Sequence, residues 1–275
     1  MSIETELIAA KHYLDECYDV VEMLDGTIPQ VKSLSNLSTA VNSIQSNVTP
    51  ETGIASYTIS AGGGVIPIGN TAGYTVPDNF FTNITRIEDN ALSYLAYTDG
   101  SNSDHRNANV FNKIDFSNVT YIGEYGCFFA FLKCSRITNI SFNTSSSISI
   151  GLNGCTYMFS GCDQITTADL RGIHTLIDNA ADAMFLRCSS LTSVDLSNLT
   201  SVGDVQAVFQ STGLTSMSFP SLTTTTSNLA LKGWFTGCSH LTSIHFRTDA
   251  QSTIEALSDY TNKFGADNAT IYFDL

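Results

Sequence analysis

The sequence predicts an α/β protein, a solenoid with a parallel sheet and short helical segments, preceded by an N-terminal α-helical coiled-coil module. A pattern that opens with Phe recurs along the chain, with the leading Phe at positions 131, 159, 185, 209 and 235. Such self-similarity is typical of repeat proteins, in which one unit cannot bury its own apolar face and stacked units share a core. A separate heptad pattern in residues 1–24 predicts the helical module.

The best-formed unit is Phe185–Leu196, which reads FLRCSSLTSVDL. Its end has the alternation of a short strand, with Val194 and Leu196 facing inward and Asp195 facing outward. Stacked units then form a parallel sheet.

The residues after this strand complete the coil. Leu199 and Val202 form a second apolar pair, and Gly203 suits a turn. We expect a short helical segment, Asp204–Phe209, to close the coil before the next unit begins.

The repeat resembles the BspA-like leucine-rich repeats, whose units combine a leading Phe, a Cys three residues later and a Leu/Ile-Thr step. The resemblance covers about residues 75–275 and implies a leucine-rich-repeat solenoid over this range. Two departures stand out: Thr212 occupies a Cys position, and the first units, Val76–Leu92 and Phe111–Ile122, are degenerate.

Composition limits the partners. The net charge of −14 leaves no basic surface for phosphates, so we expect neither nucleic acid nor an anionic membrane as partner. The first residues lack the basic and apolar regions of a signal peptide, and no stretch approaches the length of a membrane span. We therefore expect synthesis and retention in a cytoplasm, with no membrane insertion. The recurring cysteines are expected to be inward-facing thiols rather than a disulfide framework.

The N-terminal residues 1–50 are predicted to be a helical attachment and oligomerisation module. Within it, residues 1–45 resemble the N-terminal modules of phage tail and fibre proteins from Gram-positive hosts. This resemblance implies a virion protein made in the host cytoplasm, which contacts other virion proteins through these helices. We expect a homo-oligomer, with a trimer favoured. The proposed oligomerisation residues are Ile3, Leu7, Leu14, Val21 and Leu24.

Residues 51–74 are predicted to be a Gly/Ser/Thr-rich linker with one capping strand around Ile54, Tyr57 and Ile59, and residues 75–275 the solenoid. A final strand is expected within 269–275. The polar stretch 97–109 is predicted to be an insertion loop, a common place for contacts. Its candidate binding residues are Asp99, Asp104, His105 and Arg106.

No catalytic or metal-binding motif is recognisable. The histidines form no H-E-x-x-H motif, and no serine lies in a G-x-S-x-G motif. The sequence therefore predicts a protein that is not an enzyme and has no cofactor and no metal.

The outward positions of the strands supply the main candidate binding surface, which we expect to be rigid and polar. Its candidate residues are Asp115, Ser141, Asp169, Asp195, Ser218 and His245, with Asn139, Thr167, Ser193, Ser216 and Ser243 beside them. Such a surface suits a host cell-surface glycan or a polar protein, so host-surface adhesion is the favoured function. Two alternatives remain open: a purely structural virion component, such as a head fibre, decoration or adaptor protein, and a bacterial surface BspA-like adhesin.

Overall fold

The computed structural model describes residues 57–59, 80–95 and 111–275, the first of these as strand backbone only. All of them lie in one compact unit, Ser56–Leu275. The predicted coiled coil in residues 1–24 and the insertion loop 97–109 lie outside the described residues.

Each coil of the solenoid contributes a strand to what we call the front strand row. Consecutive strands pair in parallel, as the repeat predicts, and the sheet is interrupted between some neighbouring coils. The front row consists of β3 (Lys113–Phe116), β5 (Asn139–Phe142), β7 (Thr167–Asp169), β9 (Ser193–Asp195), β11 (Ser216–Phe219), β13 (Ser243–Phe246) and β14 (Thr270–Phe273).

A second set of shorter strands forms the side strand row. These strands follow the front strands at the second apolar pair of each unit, where Leu199 and Val202 are both fully buried. They pair in parallel in two sheets, one of four strands and one of three. The side row consists of β1 (Tyr57–Ile59), β2 (Ile84–Ile87), β4 (Tyr121–Ile122), β6 (Ser149–Ile150), β8 (Thr175–Leu176), β10 (Ser201–Val202) and β12 (Thr224–Thr225). The strand expected around Tyr57 and Ile59 is therefore present.

The segment that closes each coil is a chain of turns, so the prediction of a helix over Asp204–Phe209 was wrong. Ala207 has a left-handed backbone (φ 56°), which a right-handed helix cannot accommodate. Its N–H donates to the carbonyl of Lys232 in the next coil (3.0 Å) instead of bonding within its own segment. Ala183 makes the same kind of hydrogen bond between coils, because its N–H donates to the carbonyl of Gln206 in the next coil.

These hydrogen bonds between coils explain why non-glycine residues adopt the left-handed conformation. A left-handed residue costs about 1–2 kcal/mol, and each bond formed between coils satisfies a buried peptide group that would otherwise lack a partner. The register is regular: the N–H of Phe159 donates to Met184, and that of Phe185 donates to Val208, each at 2.9 Å. The turn segments therefore hold neighbouring coils together much as the sheets do.

The leading Phe residues form a continuous stack through the core, as the repeat predicts. Their rings are stacked from coil to coil, with centroids 5.5 Å apart for Phe131 and Phe159, 5.6 Å for Phe159 and Phe185, 5.8 Å for Phe185 and Phe209, and 6.3 Å for Phe209 and Phe235. All five rings are fully buried. Each unit thus completes the core of its neighbours.

The last described coil carries the few helical turns. The short helix α1 (Gln251–Glu255) buries Ile254, and a 3-10 segment, Tyr260–Gly265, buries Phe264. The strand expected within 269–275 is present as β14. Among the described residues, no helix has the length and apolar character needed to cross a membrane.

Candidate functional site

The outward positions of the front strand row line up across the coils. Asp115 pairs with Ser141, Asp169 pairs with Asp195, and Ser218 pairs with His245. We call the six predicted residues, Asp115, Ser141, Asp169, Asp195, Ser218 and His245, the outward row. Strand alternation places their neighbours Ala168 and Val194 on the opposite face, toward the core.

A parallel line of small polar side chains lies two residues before the outward row. Thr167 pairs with Ser193, and Ser216 pairs with Ser243. Thr167, Ser193 and Ser216 are exposed. The structure therefore brings the predicted polar residues together on one surface.

Asp115 is the exception to the expected exposure, because it is only 9% exposed. Thr82 of the preceding coil donates to its Oδ2 (3.4 Å), and Lys113 Nζ lies 3.1 Å from the same oxygen. Its pKa is lowered: burial acts in the opposite direction, but hydrogen bonds from Ser117 and Lys113 outweigh it. The sequence could not show this burial, because it depends on a degenerate neighbouring coil.

Arg171 is the main residue of this surface that sequence reasoning missed. Its guanidinium binds Asp169 in a bidentate manner, with Nε 2.9 Å from Oδ1 and Nη2 2.7 Å from Oδ2. It also reaches Asp195 in the next coil, with Nε 3.6 Å from Oδ2. These hydrogen bonds from Arg171 lower the pKa of Asp169. The spacing Asp-Leu-Arg was a usable signal, because Asp169 ends β7 and Arg171 lies in the turn directly after it.

The aspartates of the outward row also hold the turns that follow their strands. The N–H of Ser197 donates to Asp195 Oδ1 (2.9 Å), and the N–H of Ser117 donates to Asp115 Oδ1 (3.1 Å). The N–H of Arg171 makes the equivalent bond to Asp169 (3.3 Å). One oxygen of each carboxylate therefore accepts a hydrogen bond that stabilises the turn. The side chains of Asp169 and Asp195 are still 42% and 48% exposed.

The last member, His245, belongs to a cluster that continues the row. Its ring stacks on Tyr272, with centroids 4.9 Å apart, and its Nδ1 lies 2.9 Å from Asp274 Oδ1. Tyr272 pairs with His245 in β14 and is 43% exposed. Sequence reasoning predicted the strand and missed Tyr272 as the next residue in this row.

The repeat cysteines are buried thiols that bond to neighbouring coils. Cys162, Cys188 and Cys238 donate from Sγ to the carbonyls of Phe131 (3.0 Å), Phe159 (3.1 Å) and Phe209 (3.0 Å). Thr212, at the position that lacks Cys, donates to Phe209 as well (2.9 Å). Burial raises the pKa of Cys188 to about 12, so this thiol is protonated at neutral pH and a poor nucleophile.

The structure does not describe the other predicted site residues. Asp99, Asp104, His105 and Arg106 of the insertion loop lie outside the described residues, as do the proposed oligomerisation residues Ile3, Leu7, Leu14, Val21 and Leu24. Within the described part of the chain, no group of three or more His, Cys, Asp or Glu side chains is arranged to hold a metal ion.

The stacked parallel coils and the Phe stack define a repeat solenoid. Residues 101–234 match the family model for the BspA type leucine rich repeat region, in six copies. This part of the chain is therefore similar to BspA-like leucine-rich repeats. No curated protein and no solved structure matches the chain.

Proposed function

We propose that the protein is a non-enzymatic scaffold for adhesion, and that the outward row contacts a glycan or a polar protein on a host cell surface. The observation that carries this proposal is the register of the front strands. It aligns the carboxylates of Asp169 and Asp195 in one sheet, and Ser218 with the ring of His245 in another. A surface fixed in this way loses little conformational freedom when it binds.

The chemistry of the surface favours a ligand with many hydroxyl or amide groups. Carboxylates are strong acceptors, and the small hydroxyl residues beside them both donate and accept hydrogen bonds. Arg171 adds a guanidinium between two carboxylates. Such contacts are individually weak, so useful adhesion requires several copies presented together.

We propose a phage or prophage virion, tail or fibre associated, as the carrier of those copies. In this proposal residues 1–50 join the chains, as a trimer, through Ile3, Leu7, Leu14, Val21 and Leu24, and attach them to other virion proteins. The support is the resemblance of residues 1–45 to tail and fibre modules. A purely structural virion role without a receptor remains the competing proposal. Mass spectrometry of purified particles tests the location: absence of the protein from virions would contradict this carrier.

The repeat match supports a second carrier, a bacterial surface, because BspA-like repeats suggest a surface or adhesion-type protein. Both carriers use the same solenoid face. Cell fractionation distinguishes them, since a surface protein is recovered with the wall fraction and a virion protein with particles.

The direct test of adhesion replaces three members of the outward row while keeping the fold. Asp169→Asn and Asp195→Asn retain an oxygen that accepts the turn N–H, and His245→Gln retains a polar side chain. We expect the triple variant to melt within a few degrees of the parent and to bind host cells roughly tenfold more weakly, since hydrogen bonds to charged groups are lost.

The matched control is Asp163→Asn with Asp267→Asn, which removes two exposed carboxylates outside the front strands. Deletion of residues 97–109 tests the insertion loop as the alternative binding site. Host binding equal to the parent in a folded triple variant would contradict the outward row. Failure of the parent to bind host cells would favour the structural role.

A further inference from the structure

A groove of about 320 Å³ lies on the side strand row, away from the outward row. This volume falls at the lower end of the range for small-molecule sites in proteins. The groove is open to solvent along the surface of β8 and β10. Its lining residues are Leu152, Thr175, Leu176, Ile177, Asp178, Ser201 and Thr226.

One wall of the groove is aliphatic and exposed. Ile177 and Leu152 are 47% and 39% exposed, which makes them two of the few large apolar side chains on the described surface. Ile177 follows β8 at the position where neighbouring coils carry Gly151 and Gly203. Because the glycines have no side chain, the Ile177 side chain projects from the surface with a shallow depression on each side.

The other wall is polar, and most of its side-chain groups have no hydrogen-bond partner among the described residues. The hydroxyls of Thr175, Ser201 and Thr226 make no hydrogen bond to any described residue, although all three residues line the groove. Asp178 Oδ1 accepts the N–H of Asp204 (2.7 Å), which fixes the carboxylate. Its Oδ2 has no hydrogen-bond partner among the described residues and remains available to a ligand.

We propose that this groove is a binding subsite for one neutral pyranose unit of a surface glycan. A pyranose has an apolar C–H face, which fits against Ile177 and Leu152. Hydroxyls surround its edge and can bond to the hydroxyls and carboxylate of the opposite wall. The inference rests on the proposed adhesion function for its biological setting, but it concerns a different face of the solenoid.

The charge of the groove selects against acidic sugars. Asp178 is the only ionisable residue among the described lining residues, and Asp204 follows in the next coil. Among the described residues, no lysine or arginine lines the groove to neutralise a carboxylate or phosphate of a ligand. A uronic or sialic acid would therefore meet like charge, whereas a neutral or N-acetylated sugar would not.

The test uses the full chain with methyl-labelled Ile and Leu, observed by NMR during titration with small sugars. Chitotriose, maltotriose and methyl β-galactoside are the neutral probes, and 3′-sialyllactose is the charged one. We expect the methyl signals of Ile177 and Leu152 to shift with at least one neutral probe at millimolar concentration. The signal of the fully buried Ile254 should stay in place.

Ile177→Gly removes the aliphatic wall and introduces the residue that neighbouring coils already carry there, so the fold should tolerate it. We expect binding, followed at Leu152, to weaken about tenfold, as the loss of one apolar contact of this size implies. Asp178→Asn keeps an acceptor for the Asp204 N–H and should relax the discrimination against 3′-sialyllactose. Thr224→Ala, on the same strand row outside the groove, is the matched control and should bind like the parent.

Three results would overturn the inference: no response of Ile177 and Leu152 to any neutral probe, an equal response to 3′-sialyllactose, or unchanged binding in folded Ile177→Gly. Host-cell binding by the same samples is measured separately. Cells that still bind to the parent would leave the adhesion proposal standing while the groove is rejected.

Discussion

Replacing Phe185 by alanine is the sharpest perturbation of the solenoid, because this ring lies in the middle of the Phe stack. Phe185 is fully buried, and its ring stacks on Phe159 at 5.6 Å and on Phe209 at 5.8 Å. The substitution therefore opens a cavity and removes two stacked pairs that join three coils.

The expected loss of unfolding free energy is about 4–5 kcal/mol. Truncating a buried Phe to Ala costs roughly 3–5 kcal/mol, and the loss of two stacked pairs, worth about 0.5–1.5 kcal/mol each, favours the upper part of this range. The rigid inter-coil hydrogen bonds limit collapse of the cavity, which favours the upper part of the range. For a solenoid of this size we expect Tm to fall by roughly 8–20 °C.

Thermal unfolding followed by circular dichroism measures this shift, and amide hydrogen exchange locates it. Leu186→Ala is the matched control, since the adjacent side chain is only half-buried. Its Tm should fall by less than about half as much. Exchange should rise most in the coils that contain Phe159, Phe185 and Phe209. A Tm unchanged in Phe185→Ala would show that the Phe stack is not the core of the solenoid.

The remaining predictions concern thiols, a half-buried carboxylate and oligomeric state. We expect no reaction of Cys134, Cys162, Cys188 and Cys238 with a thiol reagent at pH 8 in the folded chain, because all four are buried. Alkylation under denaturing, non-reducing conditions should modify all four. Cysteines that resist alkylation in the denatured chain would refute the prediction of free thiols. Burial raises the pKa of Asp182, so its ionised form destabilises the folded state. Asp182→Asn should therefore raise Tm at pH 7. The gain should vanish at about pH 3, below the pKa of about 3.9 of an unfolded aspartate, because the carboxyl is then protonated in both states. An equal gain at both pH values would argue against a charge effect. Light scattering should give a trimer for the full chain and a monomer after removal of residues 1–50, and a monomeric full chain would contradict the oligomerisation proposal.

Sequence reasoning worked where an interaction recurs in every unit. The Phe stack, the front strands and the inward position of Cys162 and Cys188 follow from side-chain identities that repeat with the period. The pairing register of the front strands then follows as well, because similar units can bury every leading Phe in only one alignment. The final strand β14 was predictable for the same reason.

Sequence reasoning failed where the structure depends on contacts between non-identical coils. Nothing about Ala183 or Ala207 indicates a left-handed backbone, since alanine favours right-handed helices; the hydrogen bonds to the next coil impose it. The burial of Asp115 depends on Thr82 in a degenerate coil. The groove at Ile177 arises because one coil departs from the glycine of its neighbours.

Carboxyl footprinting of the chain bound to host cells tests the adhesion proposal most directly. Exposed carboxylates are labelled chemically, and mass spectrometry compares each site with and without cells. If the outward row is the contact surface, Asp169 and Asp195 should lose labelling on binding, while Asp163 and Asp267 on other surfaces should not. Full labelling of Asp195 in the bound state would contradict the account.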